Sequence, residues 1–292
     1  MLLTSALISG LGLGSMYGLM ALGFYVTFAV SGTVNFAQGS SMMLGAVLTF
    51  TLAQTLGWSL PLAIVLALAL CALYGLVVEF LAVRPFVKRN SDAWLMATVA
   101  LGIVLDNLVM FTYGKEPRSL PSPLAQTPLT LGGLGLGVYP LQLIIPLVGL
   151  ALAGALHWLS RRTRWGTGML AVVQNRSAAR LMGIPIRRAI AAAFALSALF
   201  AGMAGVLIAP LYNVNADMGT LFGLKAFAVA ILGGITSAWG VMVAGLLFGV
   251  AEALITATLG SGYTQIITFA LVIAALAWKP HGLFGRADVR KV

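Results

Sequence analysis

Apolar runs of about twenty residues recur along this 292-residue chain, and they constrain its fold more than any other feature. A hydrocarbon layer about 30 Å thick is crossed by an α-helix of about 20 apolar residues. Within that layer every backbone amide must be satisfied by the protein itself, so only helices or a closed barrel can span it. A barrel would show short alternating segments. Here the runs are continuous and rich in Leu, Ala, Gly and Val. Only 8% of the residues are charged, against about 25% in a soluble domain. The expectation is an all-α fold: one polytopic transmembrane helical bundle occupying 1–292 as a single domain.

The apolar segments lie at 2–30, 39–57, 60–83, 93–113, 139–159, 189–211, 223–235, 237–258 and 262–278. The seventh is short for a crossing, and "AILGGITSAWG" (Ala230–Gly240) interrupts it with paired glycines. About eight spans are therefore expected, with a re-entrant or half-helix candidate near 223–235. The opening stretch has no basic start and is longer than a secretory h-region, so it is expected to be a retained first span. Glycines four apart (Gly10, Gly14 and Gly18; Gly245 and Gly249), and Ala201 with Gly205, mark faces where helix backbones can approach closely.

Orientation follows from Lys and Arg, which accumulate in short cytoplasmic loops. The segments 84–92, 160–188 and 279–292 hold fourteen of the seventeen basic residues. They include Arg84, Lys88, Arg89, Arg161, Arg162, Arg164, Arg187, Arg188, Lys279, Arg286, Arg290 and Lys291. All three segments are placed inside. Three spans precede Arg84, so the N-terminus falls outside, and the Pro/Gly-rich 114–138 becomes an outer loop. The tail returns inside after an odd number of crossings beyond span six. Either three short crossings or a re-entrant seventh segment with one full span satisfies this. The net charge of +10 is explained by this loop bias, with no need of nucleic acid.

Little in the chain resembles enzyme chemistry. His157 and His281 both lie near expected inner span ends, no cluster has metal-ligand spacing, and no Walker-type loop is present. The glycines of "GGLGLG" (132–137) fall in the outer loop and are not expected to link a strand to a helix. Cys71, the single cysteine, lies in an apolar run and reads as a small buried residue. Neither a catalytic residue, nor a metal site, nor a cofactor is expected.

The polar residues within spans are more informative, because a charge at the bilayer centre costs about 2.5–3.5 kcal/mol on insertion scales. Asp106 and Asn107 lie deep in span four, and Glu252 lies deep in span eight. Each reads either as a polar link between helices or as a lining of a solute path; no basic residue is an obvious partner, and Lys225, at the outer start of span seven, is the nearest possibility. Glu79, close to Arg84, is expected to reach the interface. Asn35 and Gln38, in "SGTVNFAQGSSMMLGA" (Ser31–Ala46), share a helical face. They read either as uncharged path residues or as a helix cap.

One stretch is neither long nor apolar enough to cross. In 160–188, "SRRTRWGTG" reads as a Gly-broken juxtamembrane linker, and "MLAVVQNRSAARLMGIPIRR" reads as a short helix capped by Gly183 and stopped by Pro185. Met169, Val172 and Val173 fall on its apolar side. Such a helix is either a rigid knob for a partner or an amphipathic segment lying on lipid.

"AARLMG" (Ala178–Gly183) resembles the Ala-Ala-x-x-x-Gly core of the cytoplasmic coupling loop in permease subunits of bacterial ABC importers, with Ser177 where Glu is usual. "GSMYGLMALGFYVTFAVSGTVNFAQGSSMMLGA" (Gly14–Ala46) resembles the opening of the branched-chain amino acid permease family, with Gln38 where His is common. "RLMGIPIRRAIAAAFALSALFAGMAGVLIAP" (Arg180–Pro210) and "VAILGGITSAWGVMVAGLLFGVAE" (Val229–Glu252) are similar to later parts of the same family, in order. The closer likeness is to the shorter, high-affinity permease type.

The resemblance implies an inner-membrane importer. Its partners are ABC ATPase subunits, a second permease subunit (homologous or identical), a periplasmic solute-binding protein and the lipid membrane. Arg176, Ser177, Ala178, Ala179, Arg180 and Gly183 would couple to the ATPase. Branched-chain or related amino acids are the implied solutes. Urea or short amides, and an ATP-independent channel or secondary transporter of the same architecture, remain as alternatives.

Overall fold

A computed structural model of the chain describes residues 2–89, 91–131 and 134–285. The chain is helical almost throughout. Helix α1 (Leu2–Ser31) is followed by α2 (Gln38–Phe50), which runs on through a π-helical turn, Thr51–Thr55. Helix α3 (Leu60–Val78) continues through a second π turn, Glu79–Val83, into α4 (Arg84–Val87). Next come α5 (Trp94–Tyr113), the single turn α6 (Pro123–Gln126) and a hairpin of β1 (Leu129–Leu131) with β2 (Leu134–Val138). Then follow α7 (Pro140–Arg162), α8 (Arg164–Gln174), α9 (Arg176–Leu181), α10 (Ile186–Ile208), α11 (Met218–Gly233), α12 (Ala238–Leu259) and α13 (Ser261–Trp278). Among the described residues, seven helices are long and apolar enough to cross a membrane, and α11 is a shorter apolar helix. The protein is a polytopic integral membrane bundle.

Long α1 lies at the centre, packed against α7, α10, α11 and α12, while α2 and α3 pack on α10. The antiparallel α1–α12 seam is built from the glycines. A methyl carbon placed on Gly14 would stand 2.6 Å from the Gly245 carbonyl oxygen, and one on Gly245 2.6 Å from the Gly18 nitrogen. Gly205 makes the equivalent approach of α10 to the backbone of α2 at Met42. Lipid tails are as apolar as leucine, so burial in hydrocarbon does not drive this association. Close backbone packing and its summed dispersion hold it together.

The basic loops share one end of the bundle. Ser31, Arg84, Lys88, Arg180 and Arg187 line one cleft there. At that same end His157, near the C-terminus of α7, lies against Trp239 at the start of α12, the rings tilted by 56° with centres 6.0 Å apart. The chain after α13 returns to this end too: Leu283 N–H donates to Leu232 O at 2.7 Å, beside the α11–α12 turn. Helices α11, α12 and α13 therefore make three passes after α10, the first of the two arrangements the sequence left open. The tail residues Arg286, Arg290 and Lys291 lie outside the described residues.

Two short passes depart from simple spans. Gln38 reaches back to Met20 O, eleven residues before the end of α1, a depth of roughly 16 Å at 1.5 Å per residue. The segment 32–37 thus re-enters the bundle, and α2 begins near mid-membrane. Helix α11, sixteen residues long, spans only about 24 Å. Its start meets that of α2, where any side chain on Gly39 would overlap the Gly219 carbonyl.

Several expectations need correction. The presumed linker 160–168 is helical: α7 runs to Arg162, and α8 starts immediately after, its Gly166 N–H accepted by Thr163 Oγ1. The presumed single helix beyond it is two, because Asn175 is extended and divides α8 from α9. Met169 and Val172 are buried, but Val173 is exposed. The outer loop also holds a strand leading into α7: Gly135 and Gly137 of "GGLGLG" lie within that strand, in an antiparallel hairpin, and the junction with the helix is Tyr139. Gly132 and Gly133 lie outside the described residues.

At the end opposite the basic loops, Arg118 and Val214 form a two-bond backbone bridge (3.0 and 2.8 Å) between the loop after α5 and the loop before α11. The Arg118 guanidinium lies 4.6 Å from the Tyr113 ring centre and donates to Tyr113 O.

A candidate solute cavity and a coupling knob

Three acids lie within spans, and the fold treats them differently. Glu79 is buried and bonded through both oxygens to the Arg84 guanidinium, at 3.1 and 2.5 Å. It does not reach the interface as expected. Residues five apart do not share a face of an α-helix, but the intervening π turn, with its i→i+5 bonding, brings them together. Glu252 of α12 is buried against Lys225 of α11, Nζ to Oε1 2.5 Å, with the Tyr17 ring centre 5.9 Å from the ammonium. Tyr17 packs edge-on to Phe248. Both charges are thus neutralised deep in the bundle.

Asp106 differs. It lies on α5, twelve residues from the basic end of that helix, about 18 Å in. It lines a cavity of about 210 Å³ between α2, α5 and α11. Gly39 and Ser40 supply one wall, Gly219, Thr220 and Gly223 another, and Phe24, Phe36 and Phe227 the apolar floor. Its Oδ1 has no hydrogen-bond partner among the described residues, and the Ser40 hydroxyl lies beside the carboxylate. Asn107, next in sequence, is exposed, lies outside the cavity and donates its amide to Ile103 O at 2.8 Å.

Asn35 and Gln38 are fully buried and also lie outside this cavity. Asn35 Oδ1 accepts from Ala37 N–H at 3.1 Å, closing the turn ahead of α2. Gln38 binds three helices together: its Nε2 donates to Met20 O (3.3 Å) and Ser197 O (3.1 Å), and its Oε1 accepts from Ser197 Oγ (2.8 Å). Buried polar groups left without partners cost about 1–3 kcal/mol. Gln38→Leu is therefore expected to lower the thermal midpoint of the solubilised protein by a few degrees. An unchanged midpoint together with slowed transport would instead make Gln38 a path residue. Ser197 and Ser40 could not be singled out from sequence: each serine looks ordinary, and Ser197 meets Gln38 across 159 positions.

The knob at the basic end is α9. Asn175 Oδ1 caps it by accepting from Ala178 N–H at 3.0 Å. Gly183, at φ +78°, closes it in the left-handed conformation. Ile184 N–H reaches Ala179 O and Gly183 N–H reaches Arg180 O, both at 3.0 Å. Ala179 packs inward, while Ser177, Ala178, Arg180 and Gly183 face out, and Leu181 and Met182 are 89% and 82% exposed. Arg176 donates to Val30 O at 2.9 Å, tying α9 to the last turn of α1.

Comparison with known proteins agrees with this architecture. Residues 6–276 match the family described as branched-chain amino acid transport system / permease component. The chain is 34% identical to the high-affinity branched-chain amino acid transport system permease protein LivH of Escherichia coli, covering 97% of this chain and 96% of that one. It is 33% identical to BraD of Pseudomonas aeruginosa, a permease protein of the same description, covering 98% and 97%. Among solved structures, PsaBC from Streptococcus pneumoniae in complex with Fab shares the fold, with a TM-score of 0.50 at 14% identity over 94% of this chain and 90% of that chain. Family match and identity agree along nearly the whole length, and the chain belongs to the branched-chain amino acid transport system permease component family.

Proposed function

We propose that this permease forms half of the membrane path of an ATP-driven importer in the inner (plasma) membrane, carrying branched-chain or related amino acids. A periplasmic binding protein delivers the solute at the end away from the basic loops. Separate ATPase subunits hydrolyse ATP at the basic end. A second permease, identical or homologous, covers the side on which Ile103, Thr220 and Leu224 leave the cavity open. The exposed, doubly capped α9 is the observation that carries this reading. A six-residue helix fixed by Asn175, Gly183 and Arg176 moves as a unit, and its outward Ala178, Leu181 and Met182 offer a small apolar grip. A push on it passes through Arg176 to α1. Bias between two packed arrangements needs a ligand that favours one of them, and ATP on the partner supplies it.

The test is crosslinking. Cys71 is buried, so a cysteine introduced by Ala178→Cys is the accessible thiol. It is expected to crosslink to the ATPase subunit, with a yield that changes when nucleotide binds. Absence of any crosslink, or uphill uptake by this permease without an ATPase, overturns the reading. Gly183→Val strains a left-handed position that β-branched residues avoid. It should cut uptake while ATP hydrolysis continues and membrane insertion is unchanged; normal uptake would remove α9 from the coupling route.

A further inference from the structure

We infer that the Asp106 cavity holds the ammonium group of the transported solute, which selects amino acids over neutral amides or urea; this rests on the importer reading above. Three observations support it. Of the three acids inside the spans, Glu79 and Glu252 each have a cation at contact distance, and Asp106 has none among the described residues. Asp106 alone of the three borders the α2–α5–α11 cavity, and no Lys or Arg lines that cavity. A half-buried carboxylate with an unpartnered oxygen is costly at this depth unless a cation arrives to meet it. A solute ammonium meets that requirement; a neutral amide does not.

The remaining walls fit the rest of such a solute. Ser40 offers a hydroxyl beside the carboxylate and Thr220 another polar lining group, while Phe24, Phe36, Phe227, Val99 and Leu224 give an apolar surface for a branched side chain. Gly39, Gly102, Gly219 and Gly223 also line the cavity, and none of them projects a side chain into it. Asp217, exposed at the start of α11, adds negative potential that also favours a cation. The Lys225–Glu252 pair sits on other faces of α11 and α12 and carries no free charge. It would therefore not compete for the solute.

The experiment uses the assembled importer, permease with its ATPase and binding protein, in proteoliposomes supplied with radiolabelled L-leucine or urea. Loss of a charge-assisted hydrogen bond is worth about ten-fold or more. Asp106→Asn, which keeps the shape, is expected to lower leucine uptake by about that factor, with ATPase co-purification and thermal midpoint unchanged. Asp106→Glu, which keeps the charge, should recover much of the loss. Leucine uptake by Asp106→Asn within two-fold of the unaltered protein would overturn the inference and leave the importer reading intact. ATP-driven uptake of urea in place of leucine by the unaltered importer would overturn it likewise. If the unaltered assembly takes up neither solute when ATP is added, the importer reading fails, and the inference fails with it.

Discussion

Gly249→Leu is expected to abolish recovery of monodisperse protein. A Cβ at Gly249 would overlap the backbone nitrogen and Cα of Gly14. Those atoms belong to a second helix and cannot rotate aside as a flexible side chain would. Helices α1 and α12 must then move apart along their whole shared face, losing the contacts that hold them in lipid. Overpacking of a tight interior costs about 1–3 kcal/mol and sometimes more, and a rigid backbone clash belongs at the upper end. At about 3 kcal/mol the folded population falls more than a hundred-fold relative to unfolded. Size-exclusion chromatography after solubilisation measures this. Gly154→Leu is the control, because nothing lies within 4 Å of a Cβ at Gly154 on α7. Equal losses from both variants would show that bulk alone, not the seam, is responsible.

The second large effect concerns the buried ion pair. Lys225→Met leaves Glu252 deep in the bundle without its cation, and breaking such a pair from one side costs about 3–5 kcal/mol. A sharp fall in thermal midpoint is expected. The double variant, Lys225→Met with Glu252→Met, removes both charges and should regain most of the midpoint, since an apolar replacement of a whole pair is often neutral. Uptake by the double variant then separates two roles. Near-normal uptake makes the pair a structural link between α11 and α12, whereas a stable but inactive protein makes it part of the moving path.

The helical architecture and its packing faces were legible because they depend on local composition. Gly10, Gly14 and Gly18 meet Gly245 and Gly249 as their spacing suggests, and Gly183 takes the positive φ that a terminal glycine allows. What was hidden depends on geometry that spacing does not carry. Lys225 and Glu252 are 27 residues apart on neighbouring helices, so no periodicity pairs them. Glu79 was read as reaching the interface beside Arg84 because their separation fits no α-helical face; the π turn that pairs them inside has no simple sequence mark. Asn175 was readable in principle: it is an amide three residues before the N–H it caps. It was missed because an asparagine inside a helix-prone run looks tolerated rather than terminal. The cavity was the least legible feature. Asp106 stood out, but its walls come from three helices that only the fold brings together.

The bridge between Arg118 and Val214 joins the loops at the ends of α5 and α11, the two helices that flank the cavity. Parting those ends requires both of its backbone hydrogen bonds to break together, so the two helix ends separate at a threshold and not by gradual bending. At roughly 1 kcal/mol net for each hydrogen bond, the bridge favours joined ends over parted ones by about thirty to one. Thermal agitation alone would leave the two ends apart a few per cent of the time.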